Sequence, residues 1–161
     1  INYQNNNIFS FTYRALKKIN KSPYLCVVVT NQPAIAKGIL SINQLRKDLQ
    51  KFETKLGSKK VYIDKIYFCP HHPEKGFKGE NKKYKTNCNC RKPKNGMLLQ
   101  AIKDLNIDKT KSFMLGDSFS DLSASKKTNI KFIKIGKGKF STKRQPLNKK
   151  NLLDAVNYIL N

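Results

Sequence analysis

The segment Tyr24-Leu25-Cys26-Val27-Val28-Val29-Thr30 is almost continuously apolar and rich in β-branched residues. A strand of this kind is buried on both faces, which happens in parallel sheets covered by helices. The rest of the chain alternates accordingly. Phe11–Asn20 reads as a short helix with Leu16 and Ile19 inward. In Ser41–Leu56, Ile42, Leu45, Leu49, Phe52 and Leu56 recur at helical spacing. Ser41 and Gln44 form a capping-box pair at its start, and Gly57 ends it. Val61–Phe68 reads as a strand, Asn95 caps a helix running to Leu105, and Ser112–Gly116 is a third short strand. A helix over Phe119–Lys127, a strand over Ile130–Ile135, a turn at Gly136–Gly138 and a helix over Lys149–Leu160 complete the pattern. Strands that alternate with helices predict an α/β fold of three layers, a parallel sheet between two helical faces. No repeat or linker interrupts the 161 residues, so they form one domain, 1–161.

Charge constrains partners less than its size suggests. The formal net charge is +23, but 29 of the 33 basic residues are Lys and only Arg14, Arg46, Arg91 and Arg144 are Arg. Arg forks onto phosphates and guanines, whereas Lys is a hydrated point charge. The lysines are scattered in blocks no longer than two. This is a solvated surface that attracts polyanions weakly, and no specific nucleic-acid partner is expected. No apolar run approaches a membrane span, and the polar start Ile1–Asn7 is unlike a secretory leader. A cytoplasmic monomer is expected. The first residue is Ile and not Met.

Five of the six Cys and His residues fall between Cys69 and Cys90, as Cys69-Pro70-His71-His72 and Cys88-Asn89-Cys90. Ligand pairs at short spacing, separated by a loop, build tetrahedral zinc sites. Cys69, His71, Cys88 and Cys90 are the predicted Zn2+ ligands, with His72 outside the set. The ion would act as a staple, because the loop 69–93 has little apolar surface to hold it. Cys26 lies within a strand and reads as a buried small hydrophobe.

In parallel α/β sheets, ligands bind at the carboxyl ends of strands. Three ends here carry related chemistry. Thr30-Asn31-Gln32 can donate hydrogen bonds to a phosphoryl oxygen. Gly116-Asp117-Ser118 places a carboxylate where Mg2+ could sit, with Asp121 one helical turn later. Arg91-Lys92-Pro93 closes the metal loop directly after Cys90 and aims two cations at the same edge.

Four segments in order, Val27–Gly38, Cys69–Pro73, Cys88–Leu98 and Leu115–Asp121, resemble the D-glycero-D-manno-heptose 1,7-bisphosphate 7-phosphatases. The related histidinol-phosphate phosphatases of the haloacid dehalogenase (HAD) superfamily share them. The resemblance covers nearly the whole chain. It implies a Rossmann-like HAD fold without a large cap domain, and a Mg2+-dependent phosphatase that works through a phospho-aspartate. In its usual setting this activity serves nucleotide-activated heptose synthesis for lipopolysaccharide or surface glycans. Carried over residue by residue, Thr30 and Lys92 would hold the phosphoryl oxygens, and Asn31, Gln32 and Arg91 would contact the sugar phosphate. Asp117 would bind Mg2+, and Asp121 would support its loop. Two further substrate-side positions depart from the family: Pro33 replaces a small residue, and Ser118 replaces a Lys common in the heptose enzymes.

The family's first motif, an apolar strand ending in Asp-x-Asp-Gly-Thr, has no counterpart here, because the first aspartate is Asp48 in a helix. The nucleophile and general acid are therefore expected outside this chain, together with a strand that lies centrally in related sheets. A truncated phosphatase sequence is the favoured reading. A polynucleotide 3′-phosphatase, which shares Thr-Asn-Gln, and an inactive remnant that binds phosphosugars are the alternatives.

Overall fold

The structure is a computed structural model that describes residues 8–143 and 145–161. The expectations for the N-terminal run 1–7 and for Arg144 lie outside these residues. The described elements are α1 (Ser10–Ile19), β1 (Val27–Asn31), α2 (Ile42–Gly57), β2 (Lys65–Cys69), α3 (Gly96–Asp104), β3 (Phe113–Gly116), α4 (Phe119–Thr128), β4 (Lys131–Ile135), β5 (Leu147–Lys149) and α5 (Leu152–Leu160). All strand pairs are parallel, as the alternation predicts. The long excursion between β2 and α3 is a loop and not a cap domain.

Register and alternation set the layers. Val28 and Thr30 pair with Ile66 and Phe68, while Val29 and Asn31 pair with Tyr67 and Cys69. Successive side chains point to opposite faces. Ile66 and Phe68 pack under Leu45 and Leu49 of α2. On the other face Val29 meets Leu98 of α3, Met114 of β3 and Ala124 of α4. Leu16 of α1 joins Leu56 and Val61 in a third cluster, and α1 also lies against α5.

The strands form two groups, β2-β1 and β3-β4-β5, with no ladder between β1 and β3. Between these two strands runs an apolar groove of about 780 Å3, with Val27–Val29 on one wall and Phe113–Gly116 on the other. Tyr24 meets the edge of Phe113 at its N-terminal end, and Lys92, Asp117 and Asp121 line its C-terminal end. This corrects the expectation that the first strand is buried on both faces. Every residue of β1 is half-buried, because one of its edges faces the groove.

Cys26, expected as a buried residue within the strand, precedes β1 and is half-buried. Further expectations change at the other strands. Residues Leu147–Lys149 form β5 on the edge of the sheet, and the last helix starts after Asn151, whose Oδ1 accepts the Asp154 N–H at 3.0 Å. A three-residue strand, Leu147-Asn148-Lys149, is too short to carry an alternation that can be read. Val61 sits before β2 as a core residue and not within it.

Candidate functional site

The carboxyl ends of β1, β2 and β3 converge on Lys92. Its ammonium donates to the Val29 carbonyl at 2.8 Å and pairs with Asp121 Oδ1 at 2.6 Å. Its backbone is held by Asn31, whose Oδ1 accepts the Lys92 N–H and whose Nδ2 donates to the Lys92 carbonyl, both at 3.0 Å. Lys92 is thus anchored to β1 on either side of Thr30. The side chains of Lys92 and Asp121 are only 12% and 8% exposed, so each charge needs the other.

Gln32, 4% exposed, donates from Nε2 to Thr30 Oγ1 at 3.2 Å. A hydroxyl that accepts one hydrogen bond keeps its own hydrogen free to donate. Thr30 can therefore donate to an anion at the strand end where Lys92 is anchored. The Gln32 backbone N–H continues the β1–β2 ladder to the Cys69 carbonyl at 2.8 Å.

At the end of β3 the chain folds back on itself. The Ser118 N–H and hydroxyl donate to Asp121 Oδ2 at 3.1 and 2.7 Å, and the Asp121 N–H returns to Ser118 Oγ at 3.2 Å. This is a complete capping box for α4. The Asp121 carboxylate therefore spends one oxygen on its own helix and the other on Lys92. Asp117 is exposed at the mouth of the groove, leaving one carboxylate here free to meet a cation. Mg2+ sites commonly use one or two carboxylates with water and phosphate oxygens, so Asp117 fits as one ligand.

The second cluster is the Cys/His set. Ligand atoms of Cys69, His71, Cys88 and Cys90 all lie within 4.8 Å of one another. The three sulfurs are 3.1–3.5 Å apart, and His71 Nδ1 is 3.3 Å from Cys90 Sγ. Burial, together with hydrogen bonding to Cys90, pushes the Cys69 thiol far above its ordinary range. Burial also raises Cys90. At Cys88 burial acts in the same direction, but hydrogen bonds from Cys90, the Arg91 N–H and Cys69 outweigh it and bring the thiol below normal. Three such sulfurs cannot all ionise together without a cation, and a Cys3His donor set suits tetrahedral Zn2+. The set includes His71 and leaves out His72. His72 is buried against Phe77, with Nε2 3.7 Å from Glu74.

The cluster also orients the next residue, since Arg91 Nη1 donates to the His71 carbonyl at 3.2 Å. Asn31 and Lys92 are joined at the end of β1, where Gln32 holds Thr30 and Pro33 opens the turn; Ser118, next to Asp117 at the end of β3, is linked to Lys92 through Asp121. Most of the side chains that the sequence suggests for substrate have protein partners: Gln32 donates to Thr30, Arg91 to the His71 carbonyl, and Lys92 to Val29 and Asp121. Asn31 is taken by the Lys92 backbone, and Ser118 by Asp121. Sequence reasoning missed the Lys92–Asp121 pair, which joins residues from different motifs. It also missed Lys134, 3% exposed, which donates to the carbonyls of Ile135, Gly136 and Lys137.

Comparison with known proteins identifies the family and the fold. The profile of the HAD-hydrolase-like family matches residues 89–157. D-glycero-beta-D-manno-heptose-1,7-bisphosphate 7-phosphatase of Haemophilus influenzae is 47% identical over 117 residues, covering 73% of this chain and 61% of the relative. The protein of the same name from Haemophilus ducreyi is 41% identical over 152 residues, covering 91% of this chain and 81% of the relative. The chain spans 61% and 66% of the lengths of the Haemophilus influenzae and Pasteurella multocida relatives. The crystal structure of a D,D-heptose 1,7-bisphosphate phosphatase from B. bronchiseptica, complexed with magnesium and phosphate, superimposes with a TM-score of 0.79. It is 21% identical, and the match covers 94% of this chain and 83% of that one. A putative HAD-like phosphatase from Mesorhizobium loti gives the same score at 22% identity, covering 95% and 75%. The fold is that of the HAD hydrolases, and the chain belongs to the D-glycero-beta-D-manno-heptose-1,7-bisphosphate 7-phosphatase family.

Proposed function

We propose that this chain is the phosphoryl-holding part of a phosphatase that removes the 7-phosphate of D-glycero-D-manno-heptose 1,7-bisphosphate. The observation that carries the reading is the Lys92 ammonium, pinned between the Val29 carbonyl and Asp121 at the strand end that carries Thr30. Two donors fixed at the same strand end match the oxygens of a transferring phosphoryl group. Preorganised donors of this type are the main catalytic contribution a protein makes to such a transfer. Arg91 contacts the rest of the sugar phosphate.

The nucleophilic and acidic carboxylates come from a strand seated between β1 and β3. The groove has walls of apolar strand and a polar end at Lys92 and Asp117, which suits an apolar strand that finishes in acidic residues. Asp117 would contribute one ligand to a Mg2+ site, and the ion would supply positive charge for the transferring phosphoryl group. Cys69, His71, Cys88 and Cys90 hold Zn2+ as a structural clip. A cytoplasmic setting, where thiols stay reduced, suits three cysteines that serve as metal donors. On this reading the product belongs to heptose metabolism, a supply route for lipopolysaccharide and surface glycans; the heptose bisphosphate phosphatase names of the relatives support the heptose part. No helix among the described residues is long and apolar enough to cross a membrane.

The test extends the chain with the coding sequence upstream of Ile1 and measures phosphate release with Mg2+. The substrates are heptose 1,7-bisphosphate, histidinol phosphate and a 3′-phosphorylated nicked DNA. Turnover of the heptose compound, reduced about 10²–10³-fold in Lys92→Ala, is expected. Preference for either other substrate moves the assignment to that branch. An upstream sequence without a strand ending in acidic residues would make this a binding remnant.

A further inference from the structure

We infer that Asn31 is a positioning residue that delivers Lys92 to the phosphoryl site, and that it does not contact the sugar. The inference rests on the phosphatase reading above, and it concerns how Lys92 and Thr30 are brought together. Both ends of the Asn31 amide are used on one residue. Oδ1 accepts from the Lys92 N–H and Nδ2 donates to the Lys92 carbonyl. An amide that satisfies both backbone groups of a residue 61 positions away acts like one rung of a strand ladder. It fixes the Lys92 peptide against the end of β1 as a neighbouring strand would.

The ammonium at the other end of the same side chain is fixed too. Val29 and Asp121 take two of its three hydrogens, which leaves one to face a ligand. Residues 29 and 31 thus hold the tip and the base of Lys92, and Thr30 lies between them. Gln32 does the equivalent for Thr30 by donating to its hydroxyl oxygen. The Cys/His clip fixes the Lys92 corner from the Cys90 side, and Asn31 fixes it from the β1 side without a metal. Misplacing a catalytic group by about 1 Å can cost about 100-fold in rate, so such a clamp has a measurable kinetic effect.

The experiment is a double-mutant cycle in the protein that carries the upstream segment. It compares the parent, Asn31→Ala, Lys92→Ala and the double variant, on heptose 1,7-bisphosphate and on p-nitrophenyl phosphate, which has no sugar. Asn31→Ala is expected to lower kcat/KM by about 10–100-fold on both substrates. In the Lys92→Ala background the same change should cost less than about twofold, because its effect passes through Lys92. A loss seen only as a raised KM for the sugar substrate, or full additivity with Lys92→Ala, would overturn the inference. A readout free of turnover is hydrogen exchange at the Lys92 amide without substrate. Exchange should quicken at least about tenfold in Asn31→Ala and recover in Asn31→Asp, which keeps the acceptor. Unchanged exchange overturns the inference whatever the activity. Faster exchange without heptose turnover upholds the clamp and sinks the proposed substrate.

Discussion

The two strand groups end in different kinds of polar architecture. At the end of β3, Ser118 and Asp121 satisfy each other within one turn of chain, and α4 starts from that box. At the end of β1, almost nothing is local. Asn31 and Val29 reach Lys92 across more than sixty residues, Gln32 closes on Cys69, and Arg91 reaches back to His71. A long loop with little apolar surface lies between these partners. Its position depends on the four-donor cluster and on Phe77, which sits between the ammoniums of Lys37 and Lys85 at 4.3 and 4.6 Å. One side of the site is therefore set by chain-local chemistry and the other by cross-links. The Lys92–Asp121 pair ties the two together at the end of the groove.

The largest effect is expected where the cross-linked side depends on a single cluster. Cys88→Ser removes one of four donors and should take bound zinc from about one equivalent to near none, measured by elemental analysis. Structural zinc contributes on the order of 10 kcal/mol or more to organising its ligands. The loop 69–93 should then become the first site of protease cleavage. Ser118→Ala, on the local side, should leave metal content untouched. Retained zinc in Cys88→Ser would remove the basis for treating the β1 side as metal-clipped.

The pair that joins the two sides comes next. Asp121→Asn leaves the Lys92 ammonium buried without a counter-charge and should cost about 3–5 kcal/mol in urea unfolding, the usual result of breaking a buried ion pair from one side. Ser118→Ala loses a helix cap and should cost about 1 kcal/mol. Equal losses in the two variants would mean that Asp121 acts only as a cap and that the junction contributes nothing of its own.

The same contrast explains what could be read from the sequence. The helices were legible because their apolar spacing and starts are local. The Cys/His cluster was legible because Cys-x-His and Cys-x-Cys are short-range patterns of donor residues. Partners chosen at long range were not. Gln44 follows Ser41 at capping-box spacing, yet its amide goes to Asp48, and only the Ser41 arm forms. Asn95 stands at the start of α3, but its side chain donates to the Lys127 carbonyl. Asn31 and Ser118 looked free to meet a substrate because nothing in the order of residues reveals Lys92 or the capping carboxylate as competitors. The division of the sheet into two groups follows from the absence of an Asp-x-Asp strand in the sequence. The length of β5 does not, because three residues at an edge acquire strand geometry from their neighbour alone.

The smallest effect tests whether the second hold on the loop, the one around Phe77, works without the metal. Burial tends to raise the Glu80 pKa, but the Lys85 ammonium and the backbone N–H groups of Phe77 and Gly76 outweigh it, so the carboxyl titrates below the ordinary glutamate range. A carboxyl depressed in the folded state stabilises above its unfolded pKa, and that contribution fades as pH falls through the folded value. Glu80→Gln should therefore copy acid at neutral pH. Amides of residues 76–85 should exchange a few-fold faster than in the parent at pH 7, with zinc still bound. The two proteins should converge as the parent is acidified below the usual glutamate pKa. If they exchange alike at pH 7, Glu80 adds nothing to the hold on the loop. The β1 side then rests on the Cys/His cluster and the Asn31–Lys92 clamp alone.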